Sequence, residues 1–548
     1  MNRGKSSTCL PALILLLIAF LIPAAGAAEL TRAALEAATE ASYWNFSEGQ
    51  WQTGGGMLVQ SNTRLFCAAF LKNPACRNAC VSAEFRVSEE GTGVKAAGLL
   101  IGATSDNDYI GLHLETRTPQ LILYRTPWVA GGTEMGRRAL PRERLAAGQW
   151  HSASLEARGT KCVVHLDGRK IFEVEMKAES PVGLPGVYTS QGKVEFRNIT
   201  VHGNAEQMKE EWKMDPKLYK IICDDAGAGG YQAFPDVCRA ANGDLIAVYY
   251  AGYGHVSVAN DRLPKAGRIC ASRSTDDGRS WGAPFMVCDT DADDRDPHIA
   301  LLPDGSLICN WFATWPDNAI PAQFKFKHQV VTSVSGDNGR TWSEPQWFQF
   351  AEDLWWVCSA PVRVLSDKTL ILGLYTEDAK ANTAYGATVK SRDGGKTWTN
   401  LATIGKDSGV RLDAETDVIE LKDGRLFAAL RSPGPSMYYA FSADKGLNWG
   451  PVKPFGFPGH CPYLMRHSSG AILCAHRLPA TSVTWSWDEG ATWAKPIQVD
   501  SVGGAYPSLL ELKDGTILCV YYEEGENSRI RAARLRATRE KGAEAIPW

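Results

Sequence analysis

An eight-residue phrase recurs five times in this chain. It reads Ser274-Thr-Asp-Asp-Gly-Arg-Ser-Trp281, Ser335-Gly-Asp-Asn-Gly-Arg-Thr-Trp342, Ser391-Arg-Asp-Gly-Gly-Lys-Thr-Trp398, Ser442-Ala-Asp-Lys-Gly-Leu-Asn-Trp449 and Ser486-Trp-Asp-Glu-Gly-Ala-Thr-Trp493. The starts are 61, 56, 51 and 44 residues apart. Near-periodic self-similarity on this scale is the mark of a repeat architecture. The phrase has the chemistry of a hairpin turn: the Asp carboxylate accepts backbone N–H groups, the Gly takes positive φ, and the Trp plugs the space beneath. A second repeat agrees. Six polar turns (Asn242-Gly-Asp-Leu245, Pro303–Leu307, Ser366–Leu370, Lys422–Leu426, Ser468–Ile472 and Lys513–Ile517) each open an apolar run such as Leu307–Phe312. Six turn-plus-strand units, five followed by a box, predict a six-bladed β-propeller. The strand near Ser528–Leu535 is expected to close the ring beside Leu218–Cys223.

The chain has 548 residues, more than such a propeller needs. Residues 1–27 read as a signal peptide: Arg3 and Lys5 precede an apolar run, Ala12–Ile22, and Ala25-Gly26-Ala27 fits a cleavage site. The expectation is a secreted or periplasmic protein with no transmembrane segment in the mature chain. The formal net charge of -3 argues against a nucleic-acid partner, which needs a basic face. Of 14 Cys, Cys9 leaves with the signal; Cys67, Cys76 and Cys80 are close enough to pair, and most others sit in apolar strand runs as small hydrophobes. No Cys/His spacing resembles a metal site, and His255, His298, His460 and His476 lie on separate blades, so no metal or cofactor is expected.

Residues 28–203 lack boxes but alternate as strands do, from Ala97–Gly102 to Val194–Ile199, with Asp167-Gly168 as a hairpin turn. Their order resembles the concanavalin/laminin-G-like jelly-rolls that accompany carbohydrate-active enzymes. The chain is therefore expected to be all-β, an N-terminal jelly-roll β-sandwich followed by the propeller. The expected divisions are a charged linker at 204–216, the propeller at 217–540 and a tail at 541–548.

Boxes of this form on six blades resemble the sialidase (neuraminidase) superfamily. The resemblance implies a glycan substrate, a Tyr nucleophile assisted by Glu, an Asp acid/base and three Arg that clamp a sugar carboxylate. Ala505-Tyr506-Pro507 is similar to the nucleophile strand and makes Tyr506 the candidate. Glu415-Thr-Asp through to Arg431-Ser is similar to the strand pair carrying the Glu and one clamp, and Arg477 stands near the place of another. The family's first clamp is missing. Where it writes Arg-Ile-Pro, this chain has Ala233-Phe234-Pro235-Asp236, and Arg295, in Asp293-Asp-Arg-Asp-Pro-His298, is the possible replacement from blade two. Asp236 and Asp296 join it as candidate substrate-binding residues. The acid/base is expected from the loop before the first box, which offers Asp261 with His255 nearby. This pattern implies exo-hydrolysis of an acidic sugar such as a sialoside. Two other readings stay open: a glycosidase or polysaccharide lyase of the same fold acting on a uronic or neutral glycoside, and a non-catalytic sugar-binding propeller.

Overall fold

The structure, a computed structural model, describes residues 41–548 apart from 48, 62–65, 90–94, 106–107, 126–132, 209–217, 262, 317–325, 351–353, 379–382, 435, 479–480, 501–503, 524–527 and 540–541. The expected signal peptide and most of the expected linker lie outside the described residues. Among the described residues no helix is long and apolar enough to cross a membrane.

The N-terminal half is two seven-stranded sheets. The strands alternate, Cys76–Val87 burying every second side chain, and the inward faces of both sheets meet in one core that includes Val81, Phe85 and Leu155 from one sheet and Leu99, Leu112 and Val187 from the other. Period-2 patterning of this kind leaves one face of each sheet for the core. The Asp167-Gly168 turn joins Lys161–Leu166 to Arg169–Glu175, with both turn residues at positive φ (48° and 70°) as a two-residue hairpin requires.

Six antiparallel blades follow, five of four strands and the sixth of four with one added. Blade one is Tyr231–Arg239, Leu245–Gly252, Arg268–Ser274 and Phe285–Cys288, and blade two is Asp293–Leu301, Leu307–Pro316, Phe326–Ser335 and Gln346–Phe348. Blades three, four and five begin at Arg363, Ala414 and His460. Blade six takes three strands from the end of the chain, Gly504–Glu511, Ile517–Glu523 and Ile530–Thr538, and its outer strand, Tyr219–Cys223, from the start of the propeller. The ring therefore closes by hydrogen bonds between its two ends, as the sequence predicts. The expected tail is not a tail: Gly542–Ile546 adds a further strand beside Ile530–Thr538.

Each blade contact is a separate apolar core. Tyr249, Val520 and Ile530 join blades six and one; Val248, Trp311 and Val331 join one and two; the remaining four contacts repeat the pattern. The boxes turn between the third and fourth strands and are built alike. In the second, Asp337 accepts from the backbone N–H groups of Arg340 and Thr341 (both 2.9 Å) and from the Thr341 hydroxyl, while Ser335 accepts from Gly339 N–H (2.8 Å). The Trp of each box packs into an inter-blade core. The residue before the Gly reaches sideways: Asn338 accepts from Asn242 N–H on blade one, and Asp277 from Lys513 N–H on blade six. The boxes are thus staples between blades, at the opposite ends of the strands from the cleft described next.

Candidate active site

The inner strands do not run straight to the central axis. In blades one, two, four, five and six the pairing of the first and second strands slips at the cleft end, between Ala233 and Asp236, Arg295 and His298, Ala414 and Thr416, His460 and Tyr463, and Ala505 and Ser508. Four of these bulges hold a residue before Pro in the left-handed region: Phe234 (φ 52°), Asp296 (51°), Cys461 (54°) and Tyr506 (48°). Glu415 is the inserted residue of the fifth. Non-Gly residues in this region cost of order 1–3 kcal/mol each and persist where surrounding structure over-determines them. Here the bulges break the alternation that would turn a side chain into the blade contact, and bring successive blades' residues to one cleft.

Tyr506 and Glu415 meet there, although 91 residues separate them in the chain. The phenol Oη donates to Glu415 Oε1 at 2.6 Å. Glu415 is 1% exposed, and its charge is matched by Arg431, whose Nη1 donates to both carboxylate oxygens at 2.9 and 3.2 Å. Burial, and next the Glu415 carboxylate, push the Tyr506 phenol well above its ordinary range. The resting phenol is therefore neutral.

Three guanidiniums surround the pair. Arg477 lies with its Cζ 5.9 Å from the Tyr506 ring centroid. Arg431 carries a buried Nε without a hydrogen-bond partner among the described residues. Arg295 is buried between the Phe234 and Phe312 rings, 5.4 Å from each centroid, and its Nε likewise has no hydrogen-bond partner among the described residues. All three depress the same imidazole: His255 is pushed down to about 4 by burial first, then by Arg295, Arg477 and Arg431. Arg295 brings its guanidinium into the cleft from blade two, against Phe234 of the blade-one bulge.

A profile described as a BNR repeat-like domain matches residues 268–519. The chain is 27% identical to the sialidase of Micromonospora viridifaciens over 355 residues, which are 56% of this chain and 52% of that one. Together with the boxes and the six blades, these matches support a place for the chain in the sialidase superfamily. It is also 26% identical to the sialidase of Paraclostridium sordellii over 204 residues, 33% of this chain and 49% of that one, so it spans about half the length of both curated relatives. A crystal structure of a protein of unknown function from Dyadobacter fermentans has the same fold (TM-score 0.51, 18% identity, 58% of this chain and 97% of that one).

Against the superfamily pattern, the remaining sequence candidates divide. Asp296 is in the cleft: it is 2% exposed, accepts from the Ser359 hydroxyl at 2.8 Å through Oδ2, and has its Oδ1 4.0 Å from Arg295 Nη2. Burial raises it to about 6, against the pull of Arg295. Asp236 is elsewhere. Its carboxylate is fully buried and accepts from Val237 N–H (2.7 Å), Ile299 N–H (3.1 Å) and His298 Nδ1 (3.1 Å). Asp417 repeats the arrangement on blade four with Val418 N–H, Leu464 N–H and Arg363. Both are clasps that tie one inner strand to a neighbouring blade, so Asp236 does not face a ligand. Asp261 is exposed on its loop, and among the described residues no hydrogen bond or ion pair joins it to the cluster. The same loop sends in His255 instead.

Sequence reasoning passed over two further cleft residues. Tyr375 of blade three shares the surroundings of Asp296 and Glu415, whose charges together with burial raise its phenol well above its ordinary range. Phe234 packs edge-on against Tyr506 at 4.9 Å between centroids. The Phe-Pro bulge, matching Asp296-Pro297 and Tyr506-Pro507, is the signal that could have found it. The described residues hold no group of three or more His, Cys, Asp or Glu side chains able to bind a metal. Among the described residues no disulfide joins any of the 13 cysteines, Cys67, Cys76 and Cys80 included.

Proposed function

We propose that this protein is a glycoside hydrolase acting exo on an acidic sugar, with Tyr506 as nucleophile, Glu415 as its base and Asp296 as the acid/base. The observation that carries the reading is the 2.6 Å hydrogen bond from Tyr506 to Glu415 inside a ring of three guanidiniums. A carboxylate beside the anomeric carbon repels a carboxylate nucleophile but not a phenol, and guanidinium forks match it in charge and geometry. Arg295, Arg431 and Arg477 hold that carboxylate in this reading.

In the first step Tyr506 Oη attacks the anomeric carbon as Glu415 takes its proton. The bond to the leaving oxygen breaks, and that oxygen takes the proton of Asp296, whose raised pKa, about 6, keeps the carboxyl protonated in a useful range. In the second step Asp296, now a carboxylate, takes a proton from water. The water oxygen displaces Tyr506, and Glu415 returns the proton to the phenol.

The test is hydrolysis of aryl sialosides and aryl uronides by the parent and by Tyr506→Phe and Glu415→Ala. The parent is expected to turn over at least one acidic glycoside, with both variants down by at least about 10²-fold. Turnover of uronides alone would keep the machinery and change the sugar. A folded parent inactive on every acidic glycoside would overturn the reading and favour a sugar-binding propeller.

A further inference from the structure

We propose that His255 is a positioning residue that turns Arg295 into the clamp missing from blade one, an inference that rests on the acidic-sugar reading above. The imidazole Nε2 lies 3.1 Å from Arg295 Nη2, and Nδ1 lies 3.1 Å from the Tyr231 hydroxyl. A guanidinium can only donate, so Nε2 must be the unprotonated nitrogen and accept from it. The contact therefore exists only while the ring is neutral.

Arg295 needs such a partner. Its inner strand runs through blade two, and its guanidinium lies against Phe234, the residue after Ala233 on blade one. The carboxylates near it do not hold it there: Asp293 Oδ2 is 3.9 Å from Nε and Asp296 Oδ1 is 4.0 Å from Nη2, both beyond hydrogen-bond length. Phe234 and Phe312 flank the fork at 5.4 Å from each centroid, and the rings offer it no directional acceptor. His255 supplies the directional contact. It is itself set by Phe234, edge-on at 5.3 Å, and by Ser257, whose N–H donates to Asp293 Oδ2 at 3.2 Å and so ties the His255 loop to the strand of Arg295.

The groups facing the imidazole are Tyr231, Arg295, Arg431 and Arg477, a neutral phenol and three cations. Burial first and then these three cations lower the imidazole to about 4, although the ring stays partly open to solvent. Protonation would replace an acceptor by a cation facing Arg295, so the clamp is released on the acid side only.

The experiment compares the parent with His255→Gln, which keeps an acceptor that does not titrate, and His255→Ala. The parent's KM for an acidic aryl glycoside is expected to rise as pH falls through about 4. His255→Gln should flatten that limb, and His255→Ala should raise KM about 10-fold near neutrality with kcat within a few-fold. An acid limb in His255→Gln equal to the parent's, or an unchanged KM in His255→Ala, overturns the proposal. An independent readout needs no substrate: NMR titration of the imidazole, assigned by its loss in His255→Gln, should give a value near 4 in the parent and a rise in Arg295→Met. An ordinary imidazole titration overturns the inference whatever the substrate. A depressed titration in a parent that neither binds nor hydrolyses any acidic sugar fails the acidic-sugar reading, and the clamp role with it.

Discussion

Asp296 shows how little chemistry a residue's type decides and how much its surroundings decide. The sequence offers it as one of several carboxylates in Asp293-Asp-Arg-Asp-Pro-His298, yet the four acidic and basic neighbours have separate duties. Asp293 accepts from Tyr250 Oη and Ser257 N–H, Asp294 from Trp311 Nε1 and Thr290, Arg295 lies between two rings at the cleft, and Asp296 is the one carboxylate of the three turned by its bulge toward the cleft. A buried carboxyl raised to about 6 is protonated below that pH and can donate. Activity on glycosides with poor leaving groups should therefore fall as pH rises through about 6. Asp296→Asn is expected to lose about 10²–10⁴-fold on such substrates and far less on aryl glycosides, whose leaving oxygen needs no proton. Equal losses on both kinds of substrate would remove Asp296 from the acid role.

At the scale of elements, the boxes and the bulges explain what was legible beforehand and what was not. The boxes are local: Ser, Asp, Gly and Trp bond within eight residues, so their spacing alone exposes the six blades. Tyr506, Glu415 and Arg431 were legible because each lies in a motif-bearing strand. Asp236 and Asp261 misled for opposite reasons. The first follows the bulge by two positions and turns into the blade contact, a register effect that only the pairing with Val248 reveals. The second lies on a loop whose path places His255, six residues earlier, in the cleft. The boxes carry their own prediction. Asp393 is held near 2, first by the Thr397 hydroxyl and despite some burial. A carboxylate lowered by folding contributes fully above the ordinary range near 4, and that contribution is lost as pH falls through the folded value. The parent's melting temperature should drop steeply between about pH 4 and 2. Asp393→Asn, which keeps one acceptor but gives up the charge, should cost about 1 kcal/mol at neutral pH and show a shallower acid slope. A slope identical to the parent's would mean that the box adds no charge-linked stability.

For the whole molecule, the cleft exists only while the ring is shut, because Tyr506 on blade six and Arg295 on blade two meet there from strands far apart in sequence. Closure rests on one short strand. Tyr219, Lys220 and Ile221 pair with Ala533, Ala532 and Arg531, and the Arg531 guanidinium lies 3.9 Å from the Tyr219 ring centroid. Arg531 is also held by Glu523 (2.7 Å) and Asp500 (3.1 Å) in a setting where all three are nearly buried. Removing one member of such a group leaves charges buried without compensation, at a cost of about 3–5 kcal/mol. Arg531→Met should therefore lower stability by about that amount in denaturant unfolding, although it lies outside the Tyr506–Glu415 cluster. A chain beginning at residue 224, without the closing strand, should melt lower than one beginning at 218 and lose activity together with its folded baseline. The comparison separates two kinds of ring. If the shorter chain melts with the longer one and keeps its turnover, the six inter-blade cores hold the cleft unaided, and the Arg531 network would have to be explained by something other than closure.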